Sequence, residues 1–265
     1  MASIAGANRP GRPAVSPAEA ALLAGAAFLA GGLNALAGGG SFLTLPALMA
    51  VGVPPVAANA TGTAALLPGY LSAAWASRRD LVAPAGMGLP MLLGLALLGG
   101  SAGAALLLLT PDRLFAGLAP LLLLAATLLF ALQPRLQRHR SATVPATVAA
   151  TVILAVCLYG GYFNGGLGIL LLAALSLLGV RELHRANALK NLVSGVLTAI
   201  AVALYAAGDA VGWGPALWMM LFATAGGYAG ARWARRIPPA RLRAFIVLSG
   251  LVMAALIALR LRGAA

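Results

Sequence analysis

The sequence predicts an all-α polytopic integral membrane protein. It is built from two inverted repeats, each with four spanning helices plus a short half-helix following a Gly-rich break. Three observations carry this. The 265 residues are 62% hydrophobic and 9% charged, with a mean hydropathy of +0.96, too apolar for a soluble globular domain. Apolar runs of about 20 residues recur along nearly the whole chain, the length that crosses a ~30 Å hydrocarbon core. Two glycine clusters, each led by an asparagine, interrupt such runs at matching places in the two halves: Asn34-Ala-Leu-Ala-Gly38-Gly39-Gly40-Ser41 and Asn164-Gly165-Gly166-Leu167-Gly168.

Residues 1–17 are small, polar and proline-rich and read as a flexible tail. Arg9 and Arg12 ahead of an apolar run imitate a signal peptide. That run leads directly into the glycine motif that the second half repeats, so no cleavage is expected. Membrane segments are expected at 18–37, 41–51, 56–77, 84–109, 113–132, 143–163, 167–179, 186–207, 213–233 and 242–261. The second and seventh are too short to cross unaided and read as half-helices returning from the glycine breaks. Clusters of glycine this dense break a helix, and broken backbone at membrane depth survives only where protein buries it or water lines it. Prolines mark boundaries more often than interiors: Pro54-Pro55, Pro84, Pro111, Pro134 and Pro238-Pro239. The expected organisation is a tail (1–17), a first repeat (18–132), a basic cytoplasmic linker (133–142) and a second repeat (143–265).

The halves align over about 120 residues. Gly31 and Asn34 match Gly161 and Asn164; Gly38 and Gly40 match Gly166 and Gly168; Gly52-Val53 matches Gly179-Val180. Asn59-Ala60 matches Asn187-Ala188, and Trp75…Asp80 matches Tyr205…Asp209. Arginines swap sides between equivalent turns, as inversion demands: Pro54-Pro55 answers to Arg181-Glu182, and Arg78-Arg79 to Asp209. Under that topology 13 of the 18 basic residues fall on the cytoplasmic side, and Arg9, Arg12, Arg113, Arg260 and Arg262 do not. Both termini are then periplasmic or exterior, in a bacterial inner (plasma) membrane. Tyr205 and Trp213 are expected to flank an outer turn, and Trp75 and Trp233 to sit beside inner arginines.

The net charge of +13 is spread in short clusters between apolar runs, so it marks loops and not a nucleic-acid face. Cys157 is alone in an apolar run, and His139 and His184 have no carboxylate or second histidine at ligand spacing. No metal, cofactor or catalytic residue is expected, and the chain reads as a non-enzyme.

Two breaks in corresponding positions of two repeats point to a transporter's binding site. A half-helix beginning near Ser41 or Leu167 offers its positive N-terminal end, and two such ends at mid-membrane make an anion site without a fixed cation. The candidate ligands at the breaks are Gly38, Gly39, Gly40, Ser41, Gly165, Gly166 and Gly168. The glycines also have a simpler reading, close helix packing. Asn34 and Asn164 read either as amide donors to an oxyanion or as helix caps. Thr44, Thr61 and Thr63 are hydroxyl candidates that can also bond their own helix. Asn59, Asn187 and Asn191 are amides inside apolar helices and need partners. Lys190, the only lysine, lies about one turn into its helix; it reads either as snorkelling to the cytoplasmic face or as an anion attractor.

These residues resemble the TauE/SafE sulfite-exporter family. The matching positions are Gly31, Gly38, Gly39, Gly40, Pro46-Ala-Leu48, Gly52-Val53, Ala58, Thr61 and Thr63. In the second half they are Gly161, Gly165, Gly166, Gly168, Gly179-Val180, Ala186 and Asn187. The resemblance covers roughly residues 20–262 and rests on order and spacing. It implies export of a small anion: sulfite, an organosulfonate, or a similar sulfur-containing or carboxylate anion. Alternating access is the expected mechanism, with a passive anion channel through the same dipole-lined pore as the alternative. The expected partners are the small anionic substrate and the lipid bilayer; the oligomeric state is left open.

Overall fold

The computed structural model describes residues 16–84, 86–138, 145–180 and 182–233, with isolated helical positions between 244 and 255. The described residues form helices and no strands. In order they are α1 (Pro17–Ala37), α2 (Ser41–Ala50), α3 (Pro55–Ala76), a 3-10 turn (Arg78–Asp80), α4 (Leu89–Leu109) and α5 (Asp112–Arg138). After these come α6 (Ala146–Tyr162), α7 (Leu167–Leu177), α8 (Leu183–Ala207) and α9 (Trp213–Trp233). Most of the expected segment 242–261 and residues 139–142 of the expected linker 133–142 lie outside the described residues, while 133–138 continue α5 as helix. Pro17–Ala35, Leu89–Leu109 and His184–Ala207 are long and apolar enough to cross a membrane by length and composition.

Local chemistry explains the ends. α1 starts at Pro17, the last residue of the expected tail, because Ser16 and Glu19 cap each other's backbone N–H and Pro17 occupies the first turn. α4 starts later than expected, at Leu89, with Gly88 as its extended N-cap and Pro90 in its first turn. α8 starts earlier, at Leu183, with the Glu182–Arg185 ion pair of 2.6 Å at its N-terminus.

The two short helices fold back. A Cβ at Gly40 would press on the Ala30 carbonyl and on Leu66. Ten residues of continuous helix would separate Gly40 from Ala30 by about 15 Å, so the chain has reversed. α1 with α2 and α6 with α7 are thus two helical hairpins.

Packing is reciprocal. α1 lies along α9 and α4 along α6; α3 crosses α8; α3 meets α9 and α4 meets α8; α2 packs on α3 and α7 on α8. Exchanging α1 with α6, α2 with α7, α3 with α8 and α4 with α9 leaves these pairings unchanged. Glycines let the two long seams close. Gly31 of α1 rests on the α9 backbone at Ala223 and Gly226 of α9 on the α1 backbone at Phe28, and Gly103 and Gly161 bring α4 against α6.

The two ends of the bundle differ in charge. At one end the Val56 N–H donates to Asp112 Oδ1 (2.8 Å), the Gly212 N–H to Thr61 Oγ1 (2.9 Å) and Trp218 Nε1 to the Ala20 carbonyl (3.0 Å). These bonds gather the starts of α1, α3, α5 and α9, with Asp112 and Asp209. At the other end the 3-10 turn carrying Arg78 and Arg79 packs on α8, near Arg185. The 27-residue α5 carries Arg138 toward that same end. The α1–α2 hairpin begins and ends at the acidic end, the α6–α7 hairpin at the basic one.

Tyr205 departs from its expected place. It is fully buried, and its hydroxyl donates to the Gly161 carbonyl, so it is an interior strut and not an interface aromatic. Trp75 does sit beside an arginine: the Arg78 guanidinium lies 4.4 Å from its ring centroid. The Trp233 side chain lies outside the described residues.

Candidate functional site

The site is built where the hairpin tips meet. α1 stops because Gly38 adopts φ 79°, its N–H bonding back to the Leu33 and Asn34 carbonyls in a left-handed cap. In the other hairpin Asn164 (φ 59°) and Gly166 (φ 74°) turn the chain between α6 and α7. Asparagine is one of the few residues besides glycine that tolerates this conformation. The two asparagines, matched in sequence, therefore differ in local structure. Asn34 is in the last turn of α1, whereas Asn164 stands past the end of α6.

The tips are in van der Waals contact. Gly38 lies directly on the backbone of Gly168, and Phe42 packs on Gly166; neither glycine has room for a side chain. Gly40 stands against Leu66, the middle of α3, and Gly166 against Ala126, the middle of α5. The junction is halfway along the bundle. The N-terminal ends of α2 and α7 both open there, and the first N–H groups of a helix have no intrahelical acceptor.

Tyr70 of α3 completes the junction. Its hydroxyl donates to Asn164 Oδ1 at 3.4 Å, and the Asn34 side chain lies beside it. One face of α3 carries Asn59, Thr63 and Tyr70 in succession. Asn59 Nδ2 donates to the Tyr162 carbonyl (3.0 Å), closing the end of α6. Between these two anchors the Thr63 hydroxyl is buried with no partner.

The remaining candidates separate into two groups. Committed to the fold are Asn59, Thr61, whose oxygen accepts from Gly212, and Gly165, whose carbonyl accepts from Tyr159 (2.6 Å). Buried without a hydrogen-bond partner are Asn34 Oδ1, Asn164 Nδ2, and the hydroxyls of Ser41, Thr44 and Thr63. Gly39 is buried in the first tip, Asn187 is half-buried in the second turn of α8, and Asn191 lines a cavity.

Lys190 differs from both of its sequence readings in depth. With α8 starting at Leu183 it lies two turns inside the helix, 1% exposed, and Nζ has no partner. A snorkelling ammonium would reach water; this one does not. Of the elements packed on α8, the helices α3, α4, α6 and α7 carry no Asp or Glu, and the 3-10 turn carries Asp80, which is exposed.

A cavity of about 340 Å³ adjoins the junction. Asn34, Leu66, Tyr70 and Asn191 line its inner part, and Ala73, Ala76 and Tyr228 its outer part. It thus runs from mid-depth toward the end of α3 that leads into Arg78.

Sequence reasoning passed over Tyr70, though a single tyrosine within an apolar helix was its signal. It also missed the shared pattern Gly99-Gly100-Ser101-Ala102-Gly103 and Gly226-Gly227-Tyr228-Ala229-Gly230, which marks the two seam-forming helices. Ser194 and Thr198, buried and unpaired on α8, were not singled out either.

Residues 23–257 match the family model described as Sulfite exporter TauE/SafE. The chain belongs to this family. Relatives of the TauE/SafE chain include the probable membrane transporter protein YfcA of Escherichia coli K12, 28% identical over 248 residues, covering 91% of this chain and 90% of the relative. A probable membrane transporter protein of Haemophilus influenzae is 28% identical over 233 residues, covering 86% and 90%. The probable membrane transporter protein ORF9 of Sinorhizobium is 32% identical over 146 residues; that match spans 54% of this chain and 55% of ORF9. No solved structure matches the chain. With its apolar helices, this TauE/SafE member is a multi-pass membrane protein of a transporter family.

Proposed function

We propose that this protein exports a small anion across a bacterial plasma membrane by alternating access between two inverted halves. The anion is sulfite, an organosulfonate, or a similar sulfur-containing or carboxylate anion. The observation that carries this reading is the contact of the two glycine tips halfway along the bundle, where two helix N-termini converge with Asn164 Nδ2 and Asn34 Oδ1, each without a hydrogen-bond partner. Helix N-termini favour negative charge, and close glycine backbone lets a ligand reach the N–H groups. Lys190 adds an unpaired buried amine, and α3, α4, α6 and α7 bring no carboxylate to it, which again favours an anionic cargo.

The reciprocal helix pairing and the hairpins arriving from opposite ends support two inverted copies, of residues 18–132 and 143–265. The basic end, with Arg78, Arg79, Arg138 and Arg185, is assigned to the cytoplasm by the excess of positive charge found there, which leaves the termini outside. The cavity running toward that end is then the entrance for cytoplasmic anion. Gly38 resting on Gly168 blocks the way between the ends at that point, which favours alternating access over a passive pore.

The test is an anion screen by thermal shift on purified protein, because a ligand that binds only the folded state stabilises it. Counterflow of the stabilising anion in proteoliposomes follows. Saturable exchange is expected. Stabilisation by cations alone, or single-channel currents, would overturn the reading.

A further inference from the structure

Among the described residues, hydroxyls within helices or at their C-caps bond the carbonyl four residues back: Ser77 to Ala73 (2.7 Å), Thr110 to Leu106 (2.7 Å), Thr127 to Leu123 (2.7 Å), Thr151 to Thr147 (3.0 Å) and Thr224 to Met220 (2.7 Å). This is the ordinary way for Ser and Thr to be satisfied in an apolar helix. Ser194 and Thr198 of α8 do not do it. Both are fully buried, and neither hydroxyl has any partner.

Lys190, Ser194 and Thr198 follow at four-residue spacing, so they share one face of α8 and span about 12 Å along it. The neighbouring face, Leu189, Val193 and Leu197, is sealed into an apolar cluster with α4, α6 and α7. On the other flank Asn191 lines the cavity and Gly195 sits near Leu71 of α3. Three successive buried polar groups thus make no hydrogen bond to the protein, on a stripe of α8 between a dry face and the flank that reaches the cavity. Burying such groups without a partner is costly, so what satisfies them is absent from the polypeptide. α3, α4, α6 and α7 carry no Asp, Glu, Arg or Lys.

We infer that Lys190, Ser194 and Thr198 form a hydrated anion track along α8, from near its basic-end start to past its midpoint, with Ser194 and Thr198 as further cargo-binding residues. The track deepens the anion-transport reading and rests on it. Lys190 supplies charge, and the two hydroxyls donate to an oxyanion in passage, as water does between passages.

The experiment places single cysteines at Ser194 and Thr198 in a Cys157→Ser background. Controls are Val193→Cys on the dry face and Thr127→Cys at a back-bonded hydroxyl. The probe is the sulfonate-bearing thiol reagent 2-sulfonatoethyl methanethiosulfonate, beside its neutral hydroxyethyl counterpart, with methanesulfonate as the protecting anion. Positions 194 and 198 are expected to react at least about ten-fold faster than 193 and 127. Methanesulfonate should slow them, and adding Lys190→Gln should slow the anionic probe more than the neutral one. Melting temperatures near the parent's establish that each variant is folded. Equal slowness at all four positions would overturn the track, and the anion reading would still stand if anions stabilise the parent. Fast neutral labelling with neither anionic labelling nor protection would overturn the track's anion role, and absent stabilisation by any anion would sink the transport reading itself.

Discussion

The Tyr70 hydroxyl donates to Oδ1 of Asn164 at 3.4 Å, tying the middle of α3 to the tip of the opposite hairpin. Asn34, from the other tip, neighbours the same hydroxyl. One phenol thus joins both hairpins and faces the cavity. The bond is long, and long bonds are weak, so a ligand with a better acceptor can draw the hydroxyl's hydrogen bond to itself.

Tyr70→Phe removes that donor and keeps the ring. Hydrogen bonds to charged groups are worth about 1.5–3 kcal/mol, so anion affinity should fall roughly ten-fold or more. Stability should change by no more than about 1.5 kcal/mol, the worth of a neutral hydrogen bond. Titration of the thermal shift with anion measures the first, and the ligand-free melt the second. Unchanged affinity would reduce Tyr70 to a strut.

The tips make a second prediction. Gly38→Ala sets a Cβ into the Gly168 backbone and strains a left-handed residue, and Gly166→Leu drives a side chain into Phe42 and Ala126. Left-handed backbone costs an ordinary residue about 1–2 kcal/mol before any clash. Both variants, like Gly39→Leu, should insert normally and lose transport in proteoliposomes. Intact transport in all three would leave the glycines a packing role only.

Seam glycines should behave differently. Gly103→Leu collides with the backbone of α6 near Leu158 and Tyr162, whereas a Cβ at Gly94, on the same helix, meets nothing within 4 Å. The first should lower the melting temperature sharply and the second should barely move it. Equal effects would place the α4–α6 seam elsewhere.

The sequence located the helices well, because apolar runs, glycine clusters and turn prolines are local signals. Nine of the ten expected segments became helices within a few residues, and the tenth lies mostly outside the described residues. The breaks at Gly38 and Gly166 were legible for the same reason. Relations across the fold were not. Nothing local in α3 says that Tyr70 reaches Asn164, more than 90 residues away. Tyr205 read as an interface aromatic because it sits near a turn, and only packing of α8 against α6 reveals its buried bond to Gly161. Ser194 and Thr198 look like any membrane Ser and Thr until their hydroxyls are seen to leave the backbone unbonded. Depth misled at Lys190, since the helix begins one turn earlier than its apolar run.

Topology supplies a fourth prediction. In a Cys157→Ser background, cysteines replacing Arg138 and Arg236 should both resist an impermeant thiol reagent in intact cells, and one replacing Asp209 should react. Arg138 ends α5 and Asp209 precedes α9, at opposite ends of the bundle. Labelling at 138 from outside would exclude the inverted arrangement.

The last prediction concerns charge at the tips. Asn34 Oδ1 and Asn164 Nδ2 are buried without partners beside two helix N-termini, so the ligand there is held by dipoles and amides. Asn34→Asp and Asn164→Asp exchange an amide for a carboxylate of nearly the same shape. If the cargo is an anion, like charge now stands beside it in a medium that screens poorly, and binding should be nearly abolished. Asn→Ala at either position removes a donor without adding charge and should cost less, about 1.5–3 kcal/mol. The helix N-termini stabilise a carboxylate, so the Asp variants should stay folded, with melting temperatures near the parent's. The order of affinities, wild type above alanine above aspartate, separates an electrostatic site from a merely shaped one. A shaped site would tolerate Asp, the near-isostere, better than Ala. Aspartate variants that bind anion as tightly as the parent would remove negative charge from the description of the cargo.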